Sequence, residues 1–163
     1  MSILNKPFRC DCPVTSALDL VGDKWTLVLV KQMLLEYKMT FKDFSQSDSS
    51  IAPNILSSRL KKMESLGFIV KKNHPENKKT NLYLLTARGL SLSPIIIELA
   101  MWTHENIKPI NEEKLNELYG ESKDKEKLNQ AIIGKYIEQT IVLYRKAVVL
   151  AASNRRKHDF KIS

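Results

Sequence analysis

The amino-acid sequence predicts a mainly α-helical fold with one small β-hairpin: a winged helix-turn-helix domain followed by a C-terminal helical extension. Three observations support this prediction. Residues 53–66 have the pattern of a helix with a polar and basic outer face, residues 40–50 contain a capped short helix and a polar turn, and residues 68–86 contain two β-prone runs around a basic loop. Helix, turn, helix and hairpin in this order are typical of a winged helix.

The segment 53–66 is predicted to be an amphipathic helix. Leu56, Leu60 and Met63 fall at positions i, i+4 and i+7 and form one apolar stripe. Gly67 is predicted to end the helix, since glycine is favoured just after a helix C-terminus. The opposite face is short, polar and basic, and it consists of Asn54, Ser57, Ser58, Lys61 and Ser65. Such a face can lie close to an anionic partner.

The residues before this helix predict a second, shorter one. Thr40 and Asp43 have the spacing of a capping box, which opens a helix to about Gln46. A serine-rich turn over residues 47–50 separates it from the longer helix. In a helix-turn-helix, the second helix enters the major groove of DNA.

The residues after the long helix predict a wing. Residues 68–72 and 81–86 are β-prone, and the loop 74–80 between them is rich in turn formers. The chain carries a net charge of +8, and residues 59–79 hold seven basic residues against two acidic ones, a local charge of +5. Lysines there can supply phosphate contacts. The alternative is that they are ordinary solvated lysines of a basic protein.

Two helices are predicted before the helix-turn-helix. Residues 13–21 form the first, and its predicted buried residues are Val14, Ala17, Leu18 and Val21. Asp23 is the predicted N-cap of the second, residues 24–35. That helix is apolar around most of its circumference, so we expect it at the centre of the core, with Trp25 as an anchor.

The two cysteines, Cys10 and Cys12, are too few for a disulfide framework, and the three histidines are scattered, so no metal site is predicted. Cys12 precedes Pro13, which suits the first position of a helix. A thiol at a helix N-terminus is favoured as the thiolate. Cys12 is therefore a candidate redox sensor; the alternative is a small capping residue without a redox role.

A helix over residues 90–106 is predicted after the wing, with Pro94 in its early turns as a kink or a restart. Its apolar residues form a broad surface, which would be core in a monomer and an interface in a dimer. The candidates for a dimer interface are Ile95, Ile96, Leu99 and Trp102.

Residues 109–163 are predicted to form a helical extension that contributes to dimerisation. It comprises a short helix at 112–119, a hinge at Gly120 and a long helix at 124–152. The long helix has apolar residues spaced by three and four, which must bury against the winged helix or across a dimer. The aromatic residues that form either plain core or an effector pocket are Trp102, Tyr136 and Tyr144.

Enzyme motifs are missing from the sequence. There is no glycine-rich phosphate loop, no HExxH and no nucleophile elbow, so no catalysis and no cofactor are predicted. No apolar run reaches membrane length, and the first residues lack the apolar centre of a signal peptide. We therefore expect a cytoplasmic protein without a membrane partner.

Two stretches resemble the HxlR family of bacterial and archaeal winged-helix regulators. CPVTSALDLVGDKWTLVLV at residues 12–30 is similar to the opening signature of the family, and IAPNILSSRLKKMESLG at residues 51–67, with LTARG at 85–89, is similar to its later part. The resemblance is collinear over about residues 10–106. It implies a MarR-like dimeric transcriptional regulator that binds palindromic operators on double-stranded DNA, and some members sense oxidants or electrophiles through the cysteine corresponding to Cys12.

The resemblance assigns residues 1–108 to the DNA-binding domain, with residues 1–12 as an N-terminal arm. Repression is the expected outcome, because nothing in the sequence resembles a domain that contacts RNA polymerase. Two positions depart from the family: Ala52 replaces a capping Ser or Thr, and Asn54 replaces a common Lys or Arg, which affects the operator sequence. The predicted contacts to base edges and nearby phosphates are Asn54, Ser57, Ser58 and Lys61. The predicted contacts to the DNA backbone are Lys62, Lys78 and Lys79. The alternative is a winged helix that binds protein or RNA without reading a DNA sequence.

Overall fold

The computed structural model describes residues 8–77, 79–111 and 124–159 of the 163-residue chain. Within these ranges the chain forms helices and one antiparallel hairpin, so the predicted fold class is confirmed. The elements are α1 (Pro13–Val21), α2 (Thr26–Glu36), α3 (Phe41–Ser45), α4 (Pro53–Ser65), β1 (Ile69–Asn73), β2 (Asn81–Leu85), α5 (Ala87–Leu90), α6 (Ser93–Asn106) and α7 (Lys125–Asp159).

Helix α2 lies at the centre of the core, as predicted. Leu29, Val30 and Met33 are fully buried, and the helix contacts α6, α7 and β2. Asp23 accepts hydrogen bonds from the backbone N–H groups of Trp25 and Thr26, each at 3.0 Å, and so binds the start of the helix, although Trp25 and not the predicted Asp23 occupies the N-cap position. The helix begins at Thr26 rather than at Lys24, and Trp25 is half-buried against the core.

The turn of the helix-turn-helix is fixed by side-chain hydrogen bonds. The capping box is confirmed, with the Asp43 N–H 3.1 Å from Thr40 Oγ1 and the Thr40 N–H 2.8 Å from Asp43 Oδ2. In the turn, the Ser47 and Ser49 hydroxyls lie 2.7 Å apart, and Gln32 Nε2 of α2 donates to Ser49 Oγ at 2.9 Å. The turn is therefore bonded to the central helix.

A left-handed glycine ends α4 and starts the wing. Gly67 has a φ of 70°, and its N–H bonds to the Glu64 carbonyl at 2.9 Å. The Phe68 N–H bonds to the Met63 carbonyl at 2.9 Å, which completes a Schellman motif. Strands β1 and β2 then pair in register from Ile69↔Leu85 to Asn73↔Asn81. A further bridge, Thr40↔Leu82, places residues just before α3 on the other edge of β2.

One sequence prediction about burial is wrong. On α1, Val14 and Leu18 are 66% and 55% exposed and Ala17 is exposed, so only Val21 is buried. The spacing of apolar residues predicted an inward face, but no element in the part of the chain that the structure describes covers it. Ile96 of α6 is only 7% exposed because it packs into the protomer core. Ile96 therefore belongs to the core, which is one of the two alternatives for this apolar surface.

The region after the wing forms two helices rather than one. The short α5 ends at Leu90, and α6 restarts at Ser93 with Pro94 in its first turn. Proline fits there because the first turn of a helix needs no N–H partner. Pro94 therefore marks the restart that the sequence allowed.

The long helix α7 packs on the winged helix. Leu128, Ile132 and Tyr136 are at most 6% exposed, and α7 contacts both α2 and α6. The Tyr136 hydroxyl accepts a hydrogen bond from the Leu85 N–H at the end of β2, at 2.8 Å. Helix α7 runs to Asp159, beyond the predicted end at 152. The predicted short helix at 112–119 and the hinge at Gly120 lie outside the described residues.

Candidate nucleic-acid interface

Helix α4 has a buried face and an exposed polar face. Leu56, Leu60 and Met63 are at most 2% exposed, as the apolar stripe predicted. On the outer surface Asn54, Ser58 and Lys61 are exposed, and Ser57 is half-buried. Ala52 makes no side-chain cap, which agrees with the expected departure from the family pattern.

Asp23 connects this helix to the start of α2. Arg59 Nη1 lies 2.8 Å and Lys62 Nζ 3.7 Å from Asp23 Oδ2, and the Thr26 hydroxyl donates to the same oxygen at 2.6 Å. Partial burial opposes ionisation of Asp23, but the hydrogen bonds from Thr26 and Trp25 and the charge of Arg59 together lower its pKa. One ionised carboxylate therefore caps α2 and holds two basic side chains of α4.

This arrangement changes the surroundings of one predicted backbone contact. Lys62 is half-buried and its Nζ lies 3.7 Å from Asp23 Oδ2, whereas Lys61 is exposed on the outer surface. Lys61 is therefore the more available of the two for an anionic partner.

The wing presents several cations. Lys71, Lys72 and Lys79 are exposed, and within the described residues none of them forms a salt bridge. The loop is closed by hydrogen bonds from the His74 N–H to the Thr80 carbonyl and from the Thr80 N–H to the Asn77 carbonyl, both at 2.8 Å. Lys78, a predicted backbone contact, lies outside the described residues.

Sequence reasoning missed Ile55 on the outer surface of α4. Ile55 is 38% exposed and follows Asn54 directly. Ile55 lies one residue before Leu56, which puts it about 100° away from the buried stripe around the helix axis. Its exposure could have been predicted from this position. An apolar side chain at this place can contact the methyl group of thymine.

Cys12 lies at the N-cap of α1 and is exposed, as is Cys10. The backbone N–H of Thr15 is the main cause that lowers the Cys12 pKa, followed by the Thr15 hydroxyl and the Val14 N–H. The predicted thiolate-favouring position is therefore present in the structure. Within the described residues, no three His, Cys, Asp or Glu side chains are grouped to hold a metal ion.

Helix α6 carries the exposed part of the predicted dimer face. Ile95, Leu99 and Trp102 are 37%, 46% and 56% exposed and recur at i, i+4 and i+7. Tyr136 is buried and bonded to β2, while Trp102 faces outward. These two aromatic residues therefore do not line one pocket, and Tyr136 belongs to the core.

The fold and the polar helix define a winged helix-turn-helix transcriptional regulator. The HxlR-like helix-turn-helix family model matches residues 20–111, and the chain belongs to this family. The predicted resemblance is thus confirmed. Proteins of this family are transcriptional regulators and not enzymes, in agreement with the missing enzyme motifs. Among the described residues, no helix is long and apolar enough to cross a membrane.

Three similar proteins illustrate the match. An uncharacterized helix-turn-helix-type transcriptional regulator of Halalkalibacterium halodurans is 31% identical over 96 residues, which cover 59% of this chain and 85% of that protein. A regulator of the MarR family from Porphyromonas gingivalis has a similar structure, with a TM-score of 0.54, 29% identity and coverage of 63% and 99%. The redox regulator HypR in its oxidized form also has a similar structure, with a TM-score of 0.50 and 27% identity. The match covers 58% of this chain and 97% of that protein. The similarity leaves α7 largely outside, since the family model ends at residue 111.

Proposed function

We propose that the protein is a homodimeric repressor that reads a palindromic operator on double-stranded DNA. The observation that carries this proposal is the exposed polar and basic face of α4, held in place by a fully buried apolar stripe and by Asp23. A helix of this kind, followed by a basic wing, suits the major groove. Repression is the simplest outcome, because occupancy of an operator blocks other proteins without a further contact.

The operator sequence is read by the exposed residues of α4. Asn54, Ser57, Ser58 and Lys61 approach base edges and nearby phosphates, and Asn54 favours adenine because its amide matches the adenine N6 and N7 groups. Ile55 adds an apolar contact to a thymine methyl group. The short side chains at 57 and 58 allow close approach of the helix.

The DNA backbone is held by lysines around this face. Lys78 and Lys79 of the wing lie along the neighbouring minor groove, and Lys62 reaches a phosphate beside the major groove. Because Lys62 also pairs with Asp23 at 3.7 Å, its contact to DNA is weaker than that of Lys61.

Dimerisation uses the exposed apolar stripe of α6. Ile95, Leu99 and Trp102 pack against their copies about a two-fold axis, and Ile96 is left out because it lies in the protomer core. Val14 and Leu18 of α1 are also exposed and form a second apolar surface. Two recognition helices related by this axis read half-sites about one helical turn apart.

The extension, residues 109–163, adds to the dimer interface beyond the DNA-binding domain of residues 1–108. Ile137 and Ile141 of α7 are 43% and 46% exposed and lie one turn apart. They lie on the exposed side of α7, while Leu143 and Tyr144 further along the helix still pack against the core. The protein works where DNA is, in the cytoplasm.

Cys12 makes the repressor sensitive to oxidants or electrophiles. It is exposed and its pKa is lowered by the Thr15 backbone N–H, which are the two properties that a reactive cysteine needs. HypR, a structural relative, is described as a redox regulator. Oxidation of Cys12 would change the charge and the hydrogen bonding at the N-terminus of α1, a helix whose apolar side is exposed.

Replacement of Lys78 and Lys79 by alanine tests the backbone contacts. The double variant should bind all duplexes more weakly, and the slope of log K against log salt should fall by about 2, since each lost phosphate contact removes about 0.9. Lys135→Ala is the matched control, because Lys135 is an exposed lysine that belongs to α7 and not to the wing. A loss confined to one DNA sequence would contradict the assignment.

A further inference from the structure

A cleft separates α3 from the second strand of the wing. Its volume is about 340 Å³. Its lining residues are Phe41, Lys42, Ser45, Lys79, Thr80, Asn81 and Tyr83. None of the lining residues is acidic, so the cleft is basic. Lys79 is one of the predicted contacts to the DNA backbone.

The backbone pairing explains why the cleft lies beside the wing loop. The Thr40↔Leu82 bridge is antiparallel, so the chain before α3 runs along β2 toward the loop. The Tyr83 N–H donates to the Met39 carbonyl at 2.7 Å and anchors this contact. Helix α3 therefore starts next to the end of β2 at Asn81, which is the end that the wing loop joins.

The cleft brings together two lysines from segments far apart in the chain. Lys42 and Lys79 are exposed, and neither forms a salt bridge within the described residues. Asp43, the nearest acidic residue in sequence to Lys42, accepts hydrogen bonds from the Thr40 and Met39 N–H groups at the cap of α3. The two ammonium groups thus have their charge available for a ligand.

The remaining lining residues complete a site that suits a tetrahedral oxyanion and the sugar attached to it. Thr80 adds a hydroxyl group that can donate to an oxyanion, whereas the Ser45 hydroxyl already donates its one proton to the Lys42 carbonyl at 2.9 Å and forms part of the cleft wall. The Phe41 and Tyr83 rings form the apolar part of the lining, which suits the carbon atoms of a deoxyribose. Lysine is a point-charge donor that suits phosphate without demanding one geometry.

We propose that this cleft binds one phosphodiester group of the operator backbone, with Lys42 and Lys79 as the cations. The proposal rests on the proposed function and adds Lys42 and Thr80 to its DNA contacts. DNA is the source of the phosphate because Lys79 belongs to the wing, which lies on the backbone in the proposed complex. The contact is independent of sequence and fixes the orientation of α3 and the wing on the duplex.

Lys42→Ala tests the cleft, with Lys135→Ala as the matched control and Lys61→Ala as the variant of the recognition helix. Affinity is measured by fluorescence anisotropy on an operator and on a scrambled duplex at several salt concentrations. Lys42→Ala should weaken both duplexes by about threefold to tenfold and lower the salt slope by about 0.9. Its thermal unfolding should match that of Lys135→Ala, because both side chains are exposed.

Duplexes with single neutral methylphosphonates locate the contact. A methylphosphonate at one position should weaken DNA binding by the native protein but not by Lys42→Ala. The variant has already lost the lysine that contacts this phosphate, so removing the phosphate charge has no further effect. If Lys42→Ala binds like Lys135→Ala while Lys61→Ala is weakened, the cleft assignment is overturned and the proposed function stands. If the native protein binds no duplex, both are overturned. Inorganic phosphate or a nucleoside monophosphate could instead protect Lys42 from chemical modification while Lys42→Ala keeps the native DNA affinity. These two results together would overturn the cleft assignment and indicate that the cleft binds a free phosphate.

Discussion

The hydroxyl of Tyr136 joins α7 to the wing, and its removal should measurably destabilise the protein. Tyr136 is 3% exposed and Leu85 8% exposed, and the Leu85 N–H donates to the hydroxyl at 2.8 Å. The N–H groups of Tyr83 and Leu85 point to the same edge of β2, since orientation alternates along a strand. Tyr83 is satisfied by Met39, but the short bridge does not reach Leu85. Tyr136 therefore supplies the acceptor.

The magnitude follows from the hydrogen bond alone, because phenylalanine keeps the buried ring. Tyr136→Phe leaves a buried N–H without an acceptor, which costs about 1–3 kcal/mol of unfolding free energy. For a chain of this length, each kcal/mol lowers the melting temperature by about 2–4 °C, so a decrease of roughly 2–12 °C is expected. Circular dichroism measures the melting temperature, and amide hydrogen exchange of Leu85 should become faster.

Tyr83→Phe is the matched control. The Tyr83 hydroxyl forms no hydrogen bond within the described residues, and its ring packs edge-on against Phe44 with centroids 6.4 Å apart. Removal of the Tyr83 hydroxyl should change the unfolding free energy by less than about 0.5 kcal/mol. If Tyr136→Phe and Tyr83→Phe were equally stable and Leu85 exchanged at the native rate in both, α7 would not be joined to the wing through this bond.

Three further predictions concern Cys12, Asp23 and Trp102. Because its pKa is lowered, Cys12 should reach its half-maximal rate of alkylation at a lower pH than a free cysteine does, and Thr15→Val should move that midpoint upward. Oxidant should change operator affinity in the native protein and leave Cys12→Ser unaffected; an equal response would end the sensor proposal. Asp23→Asn keeps an oxygen for the cap of α2 but loses the ion pairs, so urea unfolding at pH 7 should show a loss of about 1 kcal/mol, with solvent screening of the half-buried pair included. Because the folded pKa of Asp23 is lowered, its contribution is present above about pH 4 and is lost as the pH falls through the folded value, so a difference that persisted in strong acid would argue against this reading. Trp102→Glu should convert the dimer to a monomer in sedimentation velocity, whereas an unchanged sedimentation coefficient would place the interface elsewhere.

The local signals in the sequence predicted the DNA-binding half well. The capping box of Thr40 and Asp43, the stripe Leu56–Leu60–Met63 and the left-handed Gly67 all depend on residues within one or two helical turns. Each of these signals sets backbone geometry through neighbouring hydrogen bonds or a fixed helical period. Such features can be predicted from a single sequence.

Features that join distant segments were not predictable in this way. The Tyr136–Leu85 hydrogen bond spans 51 residues, and the cleft needs the Thr40↔Leu82 bridge to bring Lys42 to Lys79. Asp23 was predicted as a cap, but its ion pair with Arg59 depends on how α4 packs near α2. Local periodicity contains no information about these tertiary contacts.

The prediction of buried residues on apolar helices failed for a related reason. Ile95 and Ile96 are adjacent in a helix with apolar residues on several sides, yet one is 37% and the other 7% exposed. Val14 and Leu18 have the correct spacing for a buried face, but no element among residues 8–77, 79–111 and 124–159 covers them. Periodicity predicts which side of a helix seeks a partner, and it does not say whether that partner is the same chain.

Selection of the purified protein on random-sequence duplex pools at two salt concentrations tests the central claim most directly. A dimeric regulator with α4 as its recognition helix predicts a palindromic motif with half-site centres about one helical turn apart, recovered at both salt concentrations. Binding that is sensitive to salt but blind to sequence would contradict the claim. It would leave a basic winged helix that contacts only the DNA backbone.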